Sequence, residues 1–311
     1  PCCSSSRWRA DLLTTSAVGL FLVLRLAFLA AFDPGDAVAM AAPYYPPYAN
    51  ILSALGMRPL LLPCDASTRF QPTVPMLEKL DPRPAGLVLA SPCNPAGTML
   101  PPGEFIAVAR WCEAEGVRLV SDEIYHGLTY GEVPETTAAT IPGAVVVNSF
   151  SKYFGMTGWR LGWLVAPPAA VPELEKLAQN LYISAPSMAQ HAALACFEPE
   201  SLAIFEARRH EFQIRRDYLL PALRELGFRI AVEPEGAFYL YADISAFGGD
   251  AFAFCRHFIE TEHVAFTPGL DFGRYQAGHH VRFAYTQNVE RLQQAVERIA
   301  RGLKSWQPDA L

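Results

Sequence analysis

Lys152 is the amine in this chain whose neighbours suit covalent chemistry. It lies in Asn148-Ser149-Phe150-Ser151-Lys152-Tyr153-Phe154-Gly155-Met156-Thr157-Gly158-Trp159-Arg160, between hydroxyls and aromatics, with an arginine eight residues on. The other lysines, Lys79, Lys176 and Lys304, stand among acidic or polar residues on amphipathic stretches, where a solvated ammonium is the ordinary outcome. An amine in a partly apolar pocket loses solvation of its charged form, so its pKa falls and it becomes a nucleophile toward aldehydes. Ser149, Ser151 and Arg160 add hydroxyl donors and a planar guanidinium fork, a set that holds a phosphate dianion. A reactive lysine beside a phosphate cradle points to pyridoxal phosphate. Taken alone, the stretch also reads as a surface loop carrying a solvated lysine.

Such a residue needs a rigid scaffold. Ala144-Val145-Val146-Val147, just before the lysine loop, has the length and β-branched content of a buried parallel strand, which puts Lys152 past the carboxyl end of a strand. In open α/β sheets that edge is where ligands bind. Further strands are expected over Leu12–Thr15, Val38–Ala41, Leu60–Leu62, Gly86–Ala90, Val117–Val120 and Leu161–Ala166, the last closing the sheet. Helices alternate with them, among them Pro101–Glu115. This alternation specifies a mostly parallel sheet with helices on both faces. Asn94, Asp122, Tyr125 and Lys152 all follow strands and so converge on one edge. Each has a plainer reading too: Asn94-Pro95 as a turn, Asp122 as a helix cap, Tyr125 as a rim aromatic.

The texture changes after Pro172. Long helical patterns cover Pro172–Phe197 and Ser201–Leu226, followed by antiparallel strands at Phe228–Val232 and Ala237–Ile244, a helix at Ala251–Glu262, a strand at Val281–Tyr285 and a last helix at Val289–Leu303. The expected organisation is therefore an α/β large domain over residues 1–195, atypical in 1–10, and a smaller α+β domain over 196–311, with an inter-domain helix as the hinge.

With 311 residues, 51% of them hydrophobic, the chain can bury one large core or two moderate ones. A net charge of −6 without a basic block argues against nucleic acid or an anionic membrane as the main partner and favours small molecules. The seven cysteines show no C-x-x-C or metal-ligand spacing, which suits a reduced, cytoplasmic compartment without a metal site. Arg7-Trp8-Arg9 followed by an apolar run to Phe32 superficially resembles a secretory signal. The uncharged part stops at Arg25, too short to span a bilayer, and Leu20, Val23, Leu24, Ala27 and Phe28 fall at helical spacing, so a buried helix is expected.

Five motifs in order carry a resemblance: S-P-x-N-P-x-G at Ser91–Gly97, S-D-E-I-Y at Ser121–Tyr125, S-F-S-K-x-F-G-M-T-G-W-R-L-G at Ser149–Gly162, E-G-A-F-Y at Glu235–Tyr239, and P-G-x-x-F-G leading to V-R-F-A-Y at Val281–Tyr285. From about Thr14 to Leu303 the chain resembles the class I/II branch of the fold-type I pyridoxal phosphate-dependent aminotransferases, the aspartate aminotransferase superfamily. The resemblance implies a seven-stranded-type sheet with a smaller carboxy-terminal domain, pyridoxal 5′-phosphate as cofactor, a homodimer, and ping-pong transamination between an L-amino acid and a 2-oxo acid. It implies that Lys152 binds the cofactor covalently and then moves the substrate's Cα proton, and that Asp122 pairs with the pyridine nitrogen. Tyr125 and Asn94 would face the phenolic oxygen, and Tyr45 the ring. Ser149, Ser151 and Arg160, with the backbone N–H groups of Ala17 and Val18, would hold the phosphate; Arg282 would fork onto the substrate α-carboxylate. Gly236 and Phe238 look structural.

The sequence departs from the family pattern at Val18, where a serine or threonine is usual, and in beginning where the family is already well into its large domain. That absent segment usually supplies part of the small domain, part of the substrate pocket and a tyrosine reaching the neighbouring subunit's phosphate. A truncated or divergent product, with activity impaired to match, is the expectation. Two other functions share these residues: β-elimination (a C–S lyase) on the same cofactor, and a non-catalytic module of the same fold. Arg282 argues for keeping the α-carboxylate and so against decarboxylation.

Overall fold

The computed structural model describes residues 13–17 and 19–308. Seven strands form one sheet: β1 Leu13–Ala17, β2 Ala37–Ala42, β3 Arg58–Pro63, β4 Gly86–Ala90, β5 Arg118–Asp122, β6 Val145–Ser149 and β7 Gly162–Ala166, in the order β1-β7-β6-β5-β4-β2-β3. Strands β2 to β6 pair in parallel, whereas β7 runs antiparallel to both of its neighbours. The segment expected to close the sheet thus lies inside it. The connection from β6 to β7 carries Lys152 and no α-helix, so the chain reverses directly beside β6; a parallel return would need a crossover on a face of the sheet. Phe150 N donates to Leu161 O at 3.0 Å and Met156 N to Phe150 O at 2.9 Å, which closes the reversal.

Alternation along the strands divides two apolar layers. Val38, Met40, Val88, Val120, Val147 and Leu164 face one layer with helix α1 (Gly19–Ala31) and α2 (Pro47–Ala54). Ala39, Leu87, Leu89, Leu119, Val146 and Val165 face the other with α4 (Pro102–Ala114), while α3 (Val74–Leu77) adds Leu77. Both faces of the sheet are buried, so the strands read as unbroken apolar runs. Within the apolar run that superficially resembled a leader, Gly19–Ala31 forms α1, whose Leu20, Val23, Leu24, Ala27 and Phe28 are all buried; each large side chain there contributes about 1.5–3 kcal/mol. No helix of the described residues is long and apolar enough to cross a membrane. Arg7 to Arg9 lie outside the described residues.

The helix expected over Pro172–Phe197 is broken. Helix α5 covers Val171–Leu181 and α6 Ser187–Leu194. Between them Ile183 takes a left-handed φ of 70°, and Pro186, which lacks an N–H and bars a helical predecessor, prevents continuation. Helix α7 (Pro199–Glu225) leads to a three-stranded antiparallel sheet of β8 (Tyr239–Asp243), β10 (His280–Ala284) and β9 (Thr267–Pro268), flanked by α8 (Ala251–Thr261) and α9 (Val289–Ser305). The strand expected at Phe228–Val232 shrinks to one bridge, Arg229 with Asp243. Its apolar signal comes from Phe228 and Ile230, which insert into the core of this sheet without forming a ladder.

Candidate active site

Asp122 is the last residue of β5, Asn94 and Tyr125 follow β4 and β5, and Lys152 follows β6, all at one edge of the large sheet. Lys152 Nζ lies 5.1 Å from the ring centre of Phe238 and 5.6 Å from that of Tyr125. Burial lowers the pKa of its amine, and the nearby Arg282 guanidinium lowers it further, against the opposing pull of Asp122. The physical condition for a reactive amine is therefore met.

Asp122 is buried, with no ion-pair partner among the described residues. Its Oδ1 accepts from Ile124 N at 3.1 Å and its Oδ2 from Tyr48 Oη at 2.5 Å. Burial pushes the carboxyl up to about 6, with the Tyr48 and Ile124 hydrogen bonds pulling the other way. Tyr125 Oη lies 3.0 Å from Tyr239 Oη, and burial holds the Tyr125 phenol well above its ordinary range. Tyr45 meets Tyr48 edge-on at 5.5 Å; burial and then the charge of Asp122 push its phenol up to about 12.

Asn94 and Arg282 come together although they begin in different sheets. Arg282 Nη1 donates to Asn94 Oδ1 at 2.8 Å and Nη2 to Thr267 Oγ1 at 3.2 Å. The guanidinium carbon lies 4.3 Å from the Tyr239 ring centre and 4.6 Å from that of Phe272, so the plane is held by two aromatic faces. Arg282 Nε is buried and without a partner. The Asn94 loop docks tightly on the segment before β8: Glu235 N and Gly236 N both donate to Gly97 O. A Cβ on Gly97 would lie 2.7 Å from Pro234 and 2.8 Å from Gly236 O, so this approach requires glycine.

A second cluster lies at the start of α1. Arg160 Nη1 donates to Thr157 O at 2.8 Å, and the guanidinium stands over Gly19, where an added Cβ would be 2.6 Å from Nη2. Ser149 Oγ is 2.8 Å from Ser151 Oγ and accepts from Ser151 N at 3.1 Å. Helix N–H groups, a guanidinium and hydroxyls are the kinds of group that bind anions. Ala17 ends β1 just before α1; Val18 lies outside the described residues.

Tyr48, Tyr239, Thr267 and Phe272, to which the sequence assigns no role, also contact these side chains, and Phe238, expected to be structural, lies against the amine itself. For Tyr48 the one signal in the sequence is its place at the start of a helix, three residues after Tyr45.

A depressed lysine, a buried carboxylate lacking a cation and an anion cradle on one sheet edge fit pyridoxal 5′-phosphate, whose aldehyde, pyridine nitrogen and phosphate each find a matching group. They define an α/β enzyme of the pyridoxal phosphate-dependent transferase class. The model of the family "Aminotransferase class I and II" matches residues 15–299. Over 301 residues the chain is 46% identical to a valine–pyruvate aminotransferase of Mycobacterium tuberculosis, spanning 96% of this chain and 76% of that protein. It is 33% identical over 274 residues to an arginine–pyruvate transaminase of Pseudomonas aeruginosa, spanning 86% and 69%. The crystal structure of an aminotransferase from M. tuberculosis superposes with a TM-score of 0.91 at 45% identity, over 95% of this chain and 76% of that one.

This chain belongs to the class I and II aminotransferase family. It is an enzyme of the transaminase type, exchanging an amino group between an amino acid and a 2-oxo acid with pyridoxal 5′-phosphate as cofactor.

Proposed function

We propose that the reaction runs on Lys152, with the groups around it in fixed roles; its depressed amine beside the buried Asp122 is the observation that carries this reading. When bound, the cofactor supplies an electron-withdrawing ring that accepts the electron pair released at the substrate's Cα. Lys152 Nζ would hold the cofactor covalently and, as a free amine, would take the proton from the substrate's Cα. Asp122 would keep a proton on the pyridine nitrogen. Tyr125 and Asn94 donate toward the ring oxygen: Asn94 Oδ1 is taken by Arg282, which leaves its amide NH2 free to point there. Tyr45 would cover the ring. Arg160, Ser149, Ser151 and the backbone N–H groups of Ala17 and Val18 hold the phosphate, and Arg282 receives the α-carboxylate.

The favoured amino donor has an uncharged side chain. Arg282 and Arg160 are the cations that depress Lys152, and this reading commits the first to the α-carboxylate and the second to the phosphate. The 46% identity to a valine–pyruvate aminotransferase supports valine with pyruvate as the first pair to try. A single-turnover experiment tests this: valine bleaches the visible absorbance of the lysine-bound cofactor and pyruvate restores it, while aspartate acts far more slowly. Ammonia release with pyruvate formation from a β-substituted amino acid would point to elimination instead.

The active unit is a homodimer, supported by an exposed apolar strip on α5 to α7, where Ile183 is 82%, Met188 73% and Leu194 67% exposed. The chain divides into a cofactor-binding part, residues 1–195, and a smaller part, 196–311, with α7 as the connecting hinge; the seven-stranded sheet ends at Ala166 and the three-stranded sheet begins at Tyr239. The five free cysteines among the described residues are buried, which supports a reducing, cytoplasmic setting.

A further inference from the structure

Asp122 is held at both oxygens before any cofactor arrives, and the two holders differ in kind. Oδ1 takes the Ile124 N–H, two residues along the same chain segment, which any Asx-type turn provides. Oδ2 takes a phenol from another element, Tyr48 on α2, 74 positions away, at 2.5 Å. Tyr48 is itself 5% exposed and packs edge-on against Tyr45, so its hydroxyl has little freedom to turn away. A hydrogen bond to a charged acceptor in a dry site strengthens that charge.

We propose that Tyr48 is a positioning residue for Asp122, fixing the carboxylate's plane and keeping it anionic so that it can face the ring nitrogen of the cofactor. This rests on the reading of Asp122 given under the proposed function. The groups acting on Asp122 are Tyr48 from α2, Tyr45 just before it, Glu123, Tyr125 and His126 from the segment after β5, and Lys152 from the loop after β6. Glu123 raises its pKa, while His126, the Tyr48 hydrogen bond and Ile124 N lower it. Glu123 does not depend on Tyr48, since its carboxylate accepts from Ser121 Oγ at 3.0 Å, Thr137 Oγ1 at 2.8 Å and Ala138 N at 2.7 Å. Removing the phenol hydroxyl therefore deletes one stabiliser of the Asp122 anion and leaves the other groups in place.

The test is Tyr48→Phe, which keeps the ring. Cofactor dissociation is measured against pH by equilibrium dialysis. Separately, the infrared carbonyl band of a protonated buried carboxyl is followed against pH in cofactor-free protein, assigned by its loss in Asp122→Asn. The expected result is about a tenfold weaker hold on pyridoxal phosphate at neutral pH and an infrared midpoint raised by about one pH unit, with unchanged near-ultraviolet circular dichroism. Wild-type affinity together with an unmoved midpoint overturns the proposal. Should the wild-type chain show no lysine-linked cofactor absorbance, the reading of Lys152 fails, and the infrared midpoint alone then decides for or against Tyr48. Should Tyr48→Phe not fold, 3-fluorotyrosine labelling replaces it: the stronger phenol donor is expected to lower the midpoint, and an unmoved midpoint overturns the proposal.

Discussion

Arg282 on β10 is tied to Asn94, 188 positions earlier in the chain, by an Nη1–Oδ1 hydrogen bond of 2.8 Å that joins the small sheet to the edge of the large one. The guanidinium is thereby oriented from three sides: Asn94, Thr267 and the two flanking rings. Pre-orientation of this kind is what makes a bidentate carboxylate contact specific.

Replacing Arg282 with lysine keeps the charge and loses the fork. The expected result is a fall of about 100-fold in kcat/KM for amino acid and oxo acid alike, since a charge-assisted pair contributes up to about 3 kcal/mol. Asn94→Ala should cost about tenfold by loosening the same guanidinium. Steady-state kinetics on both half-reactions measure this, and a loss confined to one of them would count against a role at the shared α-carboxylate.

Asp122 makes a stability prediction with a definite sign. Burial raises its folded pKa to about 6, well above the ordinary range of an aspartate, so the fold prefers the neutral carboxyl. As pH rises through that window the folded protein holds the proton that the unfolded chain releases, and stability falls; the cost is complete above about pH 6. Asp122→Asn is therefore expected to stabilise cofactor-free protein at pH 7 by up to about 3 kcal/mol, with no gain below about pH 4, while abolishing transamination. Urea unfolding at the two pH values measures it.

Gly19 is expected to matter more for the cofactor than for the fold. Its φ is +71° and an added Cβ would meet Arg160 Nη2 at 2.6 Å. The flexible guanidinium can move aside, but only by leaving the start of α1. Gly19→Ala should weaken pyridoxal phosphate binding by about tenfold or more, through backbone strain and a displaced Arg160, with a smaller change in melting temperature of the cofactor-free protein. Fluorescence titration and thermal unfolding, run on the same preparation, separate the two effects.

The exposed strip on α5 to α7 gives the fourth test. Ile183→Asp with Met188→Asp places two charges on side chains that are 82% and 73% exposed, so the isolated fold should tolerate both. Sedimentation equilibrium is expected to show the wild-type chain as a dimer and the double variant shifted to monomer. A wild-type chain that sediments as a monomer across the micromolar range removes the dimer proposal.

What could be read without coordinates was whatever is local in the chain. Asn94, Asp122, Tyr125 and Lys152 were legible because each follows a short apolar run, and parallel strands send their carboxyl ends to one edge. Helix α1 was legible because Leu20, Val23, Leu24, Ala27 and Phe28 repeat at the helical period. What the folded chain alone decided depends on contacts between distant segments or on competition between them. Tyr48 finds Asp122 across 74 positions, Phe238 reaches the lysine from the small sheet, and Arg282 reaches Asn94. Strand β7 enters between β1 and β6 because the lysine loop holds no crossover helix, and Phe228 to Ile230 spend their apolar character in a core and not in a ladder. Periodicity reports which face of an element is buried, but not what is buried against it; a hydrogen bond or an aromatic contact to a side chain far along the chain exists only once packing has chosen the partner.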